Sequence, residues 1–287
     1  NKIEPKDIIK ARQKLLDQIQ NGENKQCLGC DKITKTQNKP IINSDVEYLS
    51  VEHHSFCNLR CTYCSDVFYG GQKTKYKIEE LVEKLEKKGN FKKCHQVVWG
   101  GGEPTLDKSF ENIFNKLDKK TNPKIYHRVF TNSVRFSEPL YNFIKSGKVK
   151  IVTSVDAGTS EKFKKIRGRD KLNEVFINLQ KYSSIDPNKI TIKYIFTKEN
   201  RDEAEIDSFI YNCKSHGLNE CNYQISHDYK EEDINLNTLK SIFYLYGRLF
   251  LNNIFKVFID DHFIYRFNSL DDKKIKEIIR YLEEKKM

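Results

Sequence analysis

Hydrophobic residues fall along this chain in two alternating rhythms. Short runs rich in β-branched and aromatic residues, such as Ile190-Thr191-Ile192-Lys193-Tyr194-Ile195-Phe196, fit pleated, buried strands. Runs of this kind cover 46–52, 95–99, 125–131, 150–155, 189–197 and 221–226. Between them, apolar residues recur at helical spacing. The sets are Ile78, Leu81, Val82 and Leu85; Phe110, Ile113, Phe114 and Leu117; Leu172, Val175, Phe176 and Leu179; and Ile206, Phe209, Ile210 and Cys213. Repeated strand–helix units predict a parallel sheet with helices outside, curled into a partial barrel by right-handed crossovers. The expected fold class is therefore α/β, a partial (β/α)6 barrel over residues 45–230.

The flanks follow other patterns. Residues 5–21 pattern as a helix, with Pro5 in its first turn, Ile8, Ala11, Leu15 and Ile19 on one face, and Gly22 placed to end it. Glu23 to Asn43 is polar and irregular, so residues 1–44 read as an N-terminal extension docking on the barrel. After residue 230 come a helix around 234–251, a hairpin-like or strand segment from Ile254 to Tyr265, and a last helix over 271–286. That last helix is expected to bury Ile275, Ile278, Ile279 and Leu282, and residues 231–287 read as a C-terminal helical and β appendage.

Composition adds bounds. A chain of 287 residues can bury one sizeable core, and 32% charged with 38% hydrophobic residues is an ordinary soluble balance. No apolar run reaches the length of a membrane span and no signal peptide heads the sequence, so a cytoplasmic location is expected. The chain opens on Asn1 rather than Met, as a piece of a longer protein would. The net charge of +11 is carried mostly by Lys, and stretches such as Lys116 to Lys124 read as solvated faces rather than a nucleic-acid patch. The charge is compatible with an anionic substrate. Eight cysteines, several of them grouped, point to metal before disulfides in a reducing compartment.

The chemistry concentrates in Cys57-Asn58-Leu59-Arg60-Cys61-Thr62-Tyr63-Cys64, just past the first strand. Three thiolates at C-x3-C-x2-C spacing can ligate three irons of a 4Fe–4S cube and leave the fourth iron open. A structural zinc knot is the alternative, although zinc prefers four closed ligands. A second pair, Cys27 and Cys30, has C-x2-C spacing but only two thiolates. A second metal centre there, iron–sulfur or zinc, would need further ligands recruited by folding back. Cys94 and Cys221 map to the opposite end of the barrel, and Cys213 continues an apolar helical stripe.

After the second strand comes Val97-Val98-Trp99-Gly100-Gly101-Gly102-Glu103-Pro104. The triad and this turn, in this order, resemble the signature of the radical S-adenosylmethionine (radical SAM) superfamily. The resemblance spans roughly residues 45–230 and implies a radical SAM barrel carrying a 4Fe–4S cluster on Cys57, Cys61 and Cys64. It implies that SAM chelates the open iron and is cleaved by one electron to methionine and a 5′-deoxyadenosyl radical. An electron donor such as flavodoxin or ferredoxin would supply that electron. Residue by residue, it implies Tyr63 near the adenine, and Gly101, Gly102 and Glu103 around the methionine amino group. Thr131 and Asn132 close the third strand, and Ser154 and Asp156 end the fourth on one face, positions that suit ribose hydroxyls. Arg167 resembles an arginine reaching the methionine carboxylate, with Arg169 as the fallback. Lys193, His227 and Asp228 are candidates for substrate contact at the barrel mouth.

Three functions compete at this point. No cysteine follows Cys221, so the auxiliary-cluster cysteines of SPASM or twitch extensions are lacking. That favours radical chemistry on a small molecule, such as a nucleotide-sugar in surface-polysaccharide synthesis. Modification of a peptide, protein or RNA is the second reading. A non-catalytic metal-binding protein is the third.

Overall fold

The computed structural model describes residues 3–25, 42–65, 77–120, 125–230, 234–260 and 271–287. Among the described residues, seven strands form one sheet in sequence order: β1 Tyr48–Val51, β2 Gln96–Trp99, β3 Tyr126–Phe130, β4 Val149–Ser154, β5 Ile190–Phe196, β6 Asn222–His227 and β7 Val257–Ile259. Every neighbouring pair is parallel, and β1 and β7 stay apart as the two open edges. All strand C-termini consequently lie along one rim, where functional groups gather in parallel β/α folds. The six expected strands are all present. Of the segment read as hairpin-like or strand, Val257–Ile259 supplies a seventh strand, parallel to β6 with Tyr223 beside Val257, and residues 261–265 lie outside the described residues.

The helices are α1 Pro5–Gln20, α2 Ile78–Lys87, α3 Phe110–Lys120, α4 Glu138–Lys145, α5 Ser160–Arg167, α6 Leu172–Ser183, α7 Glu203–Ser215, α8 Leu236–Leu251 and α9 Asp272–Glu284. Their periodicity was decisive inside the barrel. Phe110, Ile113, Phe114 and Leu117 of α3 are all buried, as are Leu172, Val175, Phe176 and Leu179 of α6 and Ile206, Phe209, Ile210 and Cys213 of α7. Strands flanked by these helices are buried on both faces, and in β4 the consecutive residues Ile151, Val152 and Thr153 are all buried. No described helix is long and apolar enough to cross a membrane.

The outlying helices depart from their pattern. In α9 only Ile278 is buried, while Ile275 and Ile279 are 41% and 49% exposed. This helix packs against α8, and its Tyr281 hydroxyl donates to Glu203 at the start of α7 at 2.9 Å. In α1, Ala11 and Leu15 face water, and the docking face instead carries Arg12, which donates to Asn43 O and Asp45 O at 2.8 Å. Both helices lie on the outside of the barrel and bury few of their apolar residues.

Close backbone packing fixes α7 against the end of β4. Glu205, 2% exposed, accepts from Thr159 N at 3.1 Å and Thr159 Oγ1 at 2.8 Å, and also from Gly158 N. A Cβ on Gly158 would lie 2.2 Å from Phe209 N and 2.3 Å from Glu205 O, both backbone atoms that cannot swing aside. Gly158→Ala is expected to lower stability by about 1–3 kcal/mol, read as a shift of the urea midpoint with unchanged slope.

Candidate functional site

The rim of the sheet gathers β1's exit, the turn after β2 and the ends of β3 and β4. Cys57, Cys61 and Cys64 lie half-buried in the loop that leaves β1. Cys57 Sγ accepts from Leu59 N at 3.4 Å and from Asn132 Nδ2 at 3.5 Å. Burial raises the thiol pKa of Cys57 and of Cys61, against the pull of the nearby Arg167 guanidinium. Thiols become thiolates when a metal cation binds them, and N–H donors already face the Cys57 sulfur. The donor set therefore fits an iron–sulfur cluster.

The loop is held by two seams. On one side, Gly102 N donates to His54 O at 2.9 Å and Glu103 N to Phe56 O at 2.6 Å. Gly101 adopts φ +82°, and a Cβ there would meet His54 O at 2.8 Å. A Cβ on Gly102 would lie 2.2 Å from Phe56 O. These glycines thus admit the chain's own backbone as it enters the cysteine loop. On the other side, Arg60 N donates to Arg167 O and Thr62 N to Ile166 O, both at 2.9 Å. Gly168, φ +81°, ends α5 where a Cβ would sit 2.8 Å from Arg60 Cβ.

Polar side chains lock these seams. Glu103 is 2% exposed and accepts from Asn132 N at 2.6 Å, Thr131 Oγ1 at 2.8 Å and Thr105 Oγ1 at 2.6 Å. Burial raises its pKa, and those donors pull it back. Asn132 in turn donates to Asn58 Oδ1 at 2.6 Å, which ties the end of β3 to the cysteine loop. Asp156 has a left-handed φ of 63° and is fully buried. Its Oδ1 accepts from Ile195 N at 2.8 Å; its Oδ2 accepts from Tyr63 Oη at 2.5 Å and pairs with Arg167 Nη1 at 2.9 Å. Arg167 also bonds the Tyr63 hydroxyl, and its own Nε is buried without a hydrogen-bond partner among the described residues. Burial pushes the Asp156 carboxyl up, against the pull of the Ile195 N–H and the Lys193 charge.

Residues expected at the site are therefore brought together, with different exposures. Asp156 has no exposed oxygen for a ribose, whereas Ser154 is half-buried, paired in register with Lys193. Arg169 is exposed, away from the buried position of Arg167. Toward β5–β7, Asp260 Oδ2 accepts from Ser226 Oγ at 2.7 Å and Gln224 Nε2 at 3.1 Å, and lies 3.6 Å from Lys193 Nζ. His227 is half-buried, and Asp228 is 8% exposed with its Oδ1 accepting from Lys230 N. Gln224, Ser226 and Asp260 carried no signal in the sequence beyond strand alternation. Cys94, Cys213 and Cys221 are fully buried and burial raises their thiol pKa values, so they read as core. Cys27 and Cys30 lie outside the described residues.

The family model described as the Radical SAM superfamily matches residues 51–210. The chain belongs to the radical SAM superfamily. It is similar to GTP 3′,8-cyclase of Clostridium botulinum (strain Hall), 26% identical over 168 residues, covering 58% of this chain and 52% of that protein. GTP 3′,8-cyclase of Haemophilus influenzae (strain Rd) is 27% identical over 169 residues, covering 57% of this chain and 48% of that protein. The chain spans about half the length of the curated relatives it matches. Among solved structures, Streptococcus suis SuiB bound to precursor peptide SuiA aligns with a TM-score of 0.61 at 14% identity, over 93% of this chain and 67% of that one. Native anSMEcpe with bound AdoMet aligns with a TM-score of 0.56 at 22% identity, over 73% and 63%. These two likenesses show the radical SAM fold, here an unclosed parallel barrel. Radical SAM membership implies a 4Fe–4S cluster and SAM as the cofactors.

The buried pair gives a direct test of the site's architecture. Arg167→Met strands the Asp156 carboxylate and is expected to cost about 3–5 kcal/mol. In the double variant with Asp156→Asn, part of that loss should return, and urea denaturation of the four proteins reads the coupling.

Proposed function

We propose that Cys57, Cys61 and Cys64 hold the 4Fe–4S cluster and that the chain abstracts hydrogen from a small anionic substrate of the nucleotide class. The observation that carries this is the triad's place at the C-terminal end of β1, inside the matched residues 51–210, with the glycine turn packed against it. When bound, the cluster supplies the electron that splits SAM into methionine and a 5′-deoxyadenosyl radical.

The chain's own residues then have separable tasks. Backbone carbonyls of the Gly101–Glu103 turn hold the methionine amino group, because the Glu103 side chain is committed to Thr131, Asn132 and Thr105. Arg167 offers its unpartnered Nε to the methionine carboxylate while Nη1 keeps Asp156 and Tyr63 in place. Tyr63, so fixed, lies by the adenine, and Ser154 serves the ribose. Thr131 and Asn132 act through the loop they brace. Lys193 and its partners on β6 and β7 present a cation and hydrogen-bonding groups to the substrate, whose binding competes with the Lys193–Asp260 pair. The curated relatives are named for action on GTP. That supports a nucleotide over a peptide, and it includes the nucleotide part of a nucleotide-sugar. A donor of the flavodoxin or ferredoxin type completes the electron supply.

Three measurements test this. After anaerobic reconstitution and reduction, electron paramagnetic resonance should show a reduced-cube signal that Cys61→Ala abolishes, and SAM should yield 5′-deoxyadenosine. Adding GTP or a nucleotide-sugar should raise 5′-deoxyadenosine formation in the wild type, whereas a response only to peptide or RNA would sink the nucleotide reading. Arg167→Lys is expected to weaken SAM binding about ten-fold or more by losing a charge-assisted bond, with the cluster spectrum retained.

Cys27 and Cys30 are proposed to hold a second metal with recruited ligands. About eight irons per chain, falling to about four in Cys27→Ala/Cys30→Ala, would mark a second cube. About four irons in both, with no zinc lost, leaves the pair without a metal.

A further inference from the structure

A second set of metal-type donors lies beside the glycine seam and has no place in the chemistry above. His53 and His54 leave β1 just ahead of the cysteine loop, and Asp107 follows the short turn Pro104–Leu106. Their side chains are 5%, 3% and 17% exposed. His53 Nε2 lies 2.9 Å from Asp107 Oδ2, and His54 Nε2 lies 4.0 Å from the same oxygen. One ligand atom from each of the three residues falls within 4.8 Å of the other two. Among the described residues, these imidazoles are the only basic groups within ion-pair distance of Asp107. The carboxylate is oriented by Ser109, whose N–H reaches Oδ1 at 2.9 Å and whose hydroxyl reaches Oδ2 at 2.7 Å.

A plain His53–Asp107 hydrogen bond accounts for one of these contacts. It does not account for the second imidazole, turned edge-on to the first at 4.9 Å between centroids and too far from Asp107 to bond. Nor does it account for His53 Nδ1, which is buried with no hydrogen-bond partner among the described residues. We propose that His53, His54 and Asp107 bind a divalent transition-metal ion, with zinc the natural occupant, at a site separate from the cysteine triad.

The donor chemistry supports this. Two imidazole nitrogens and one carboxylate oxygen form a borderline set suited to zinc, unlike the soft thiolates next door. Zinc bonds of about 2.0–2.2 Å in tetrahedral geometry put ligand atoms about 3.3 Å apart. The His53–Asp107 gap would open slightly and the His54–Asp107 gap would close by a similar small step. Coordination through Nε2 moves each ring's proton to Nδ1. In His53 no bond opposes that shift. In His54 it displaces the bond from Phe56 N to Nδ1, a long one at 3.2 Å. Water takes the fourth position. An ion so placed would bind β1's exit to the turn after Glu103, on both sides of the seam that Gly102 N and His54 O close.

The test uses the full chain in a Cys27→Ala/Cys30→Ala background, reconstituted with iron and sulfide and then titrated with zinc. About one zinc per chain is expected, and it should persist when Cys61→Ala removes the cluster, so failure of the radical reading leaves this result standing. Asp107→Asn, which keeps an acceptor for Ser109, should weaken zinc binding about ten-fold or more without changing the iron content. His54→Gln provides a second variant should Asp107→Asn not fold. X-ray absorption at the zinc edge should show nitrogen or oxygen at about 2.0 Å and no sulfur at about 2.3 Å. No retained zinc, an affinity unchanged in both variants, or a sulfur shell would each overturn the proposal.

Discussion

The backbone seam between Gly101–Glu103 and His54–Phe56 is the contact on which the site depends. Its bonds, from Gly102 N to His54 O and Glu103 N to Phe56 O, extend the β1–β2 pairing beyond the strands themselves. Only residues without a side chain allow that approach, since a Cβ on Gly102 would fall 2.2 Å from Phe56 O. The cysteine loop begins at the end of this seam, so its position is inherited from the sheet. A rigid parallel sheet thereby delivers three sulfurs to a defined point on its rim.

The second seam adds an electrostatic constraint. Asp156 is fully buried, and a buried charge is tolerated only when paired and hydrogen-bonded. Arg167, Tyr63 and Ile195 N supply those partners, and two of them come from the cysteine loop and the helix that clamps it. The cost of burying one carboxylate is thus offset by a network that orders the loop. Among the described residues, Arg167 Nε alone of this network has no hydrogen-bond partner. Glu103 works in a parallel way at the end of β3, where its carboxylate organises Thr131 and Asn132.

The C-terminal elements complete the rim instead of standing apart from it. β7 pairs with β6, and Asp260 just beyond it joins Gln224, Ser226 and Lys193. The seventh strand thus adds a carboxylate and its hydrogen-bonded partners to this side of the rim. The neighbouring folds solved with peptide and SAM share the barrel at 14% and 22% identity, too low to carry substrate with it.

The sequence alone determined the alternation of strands and helices and the buried faces of α3, α6 and α7, because those helices contact the core along a full stripe and periodicity records it. It also determined the cysteine triad and the glycine turn, whose chemistry lies in spacing along a few residues. Tertiary structure alone decided which groups meet. Tyr63 reaches Asp156 across 93 positions and Arg167 across 104, and no local period encodes such pairings. It decided that Glu103 serves Thr131 and Asn132, that Asp107 lies against two histidines, and that Ile275 and Ile279 face water. Local pattern fixes which face of an element is apolar; what that face or a polar side chain touches depends on where the sheet's curvature brings distant segments together.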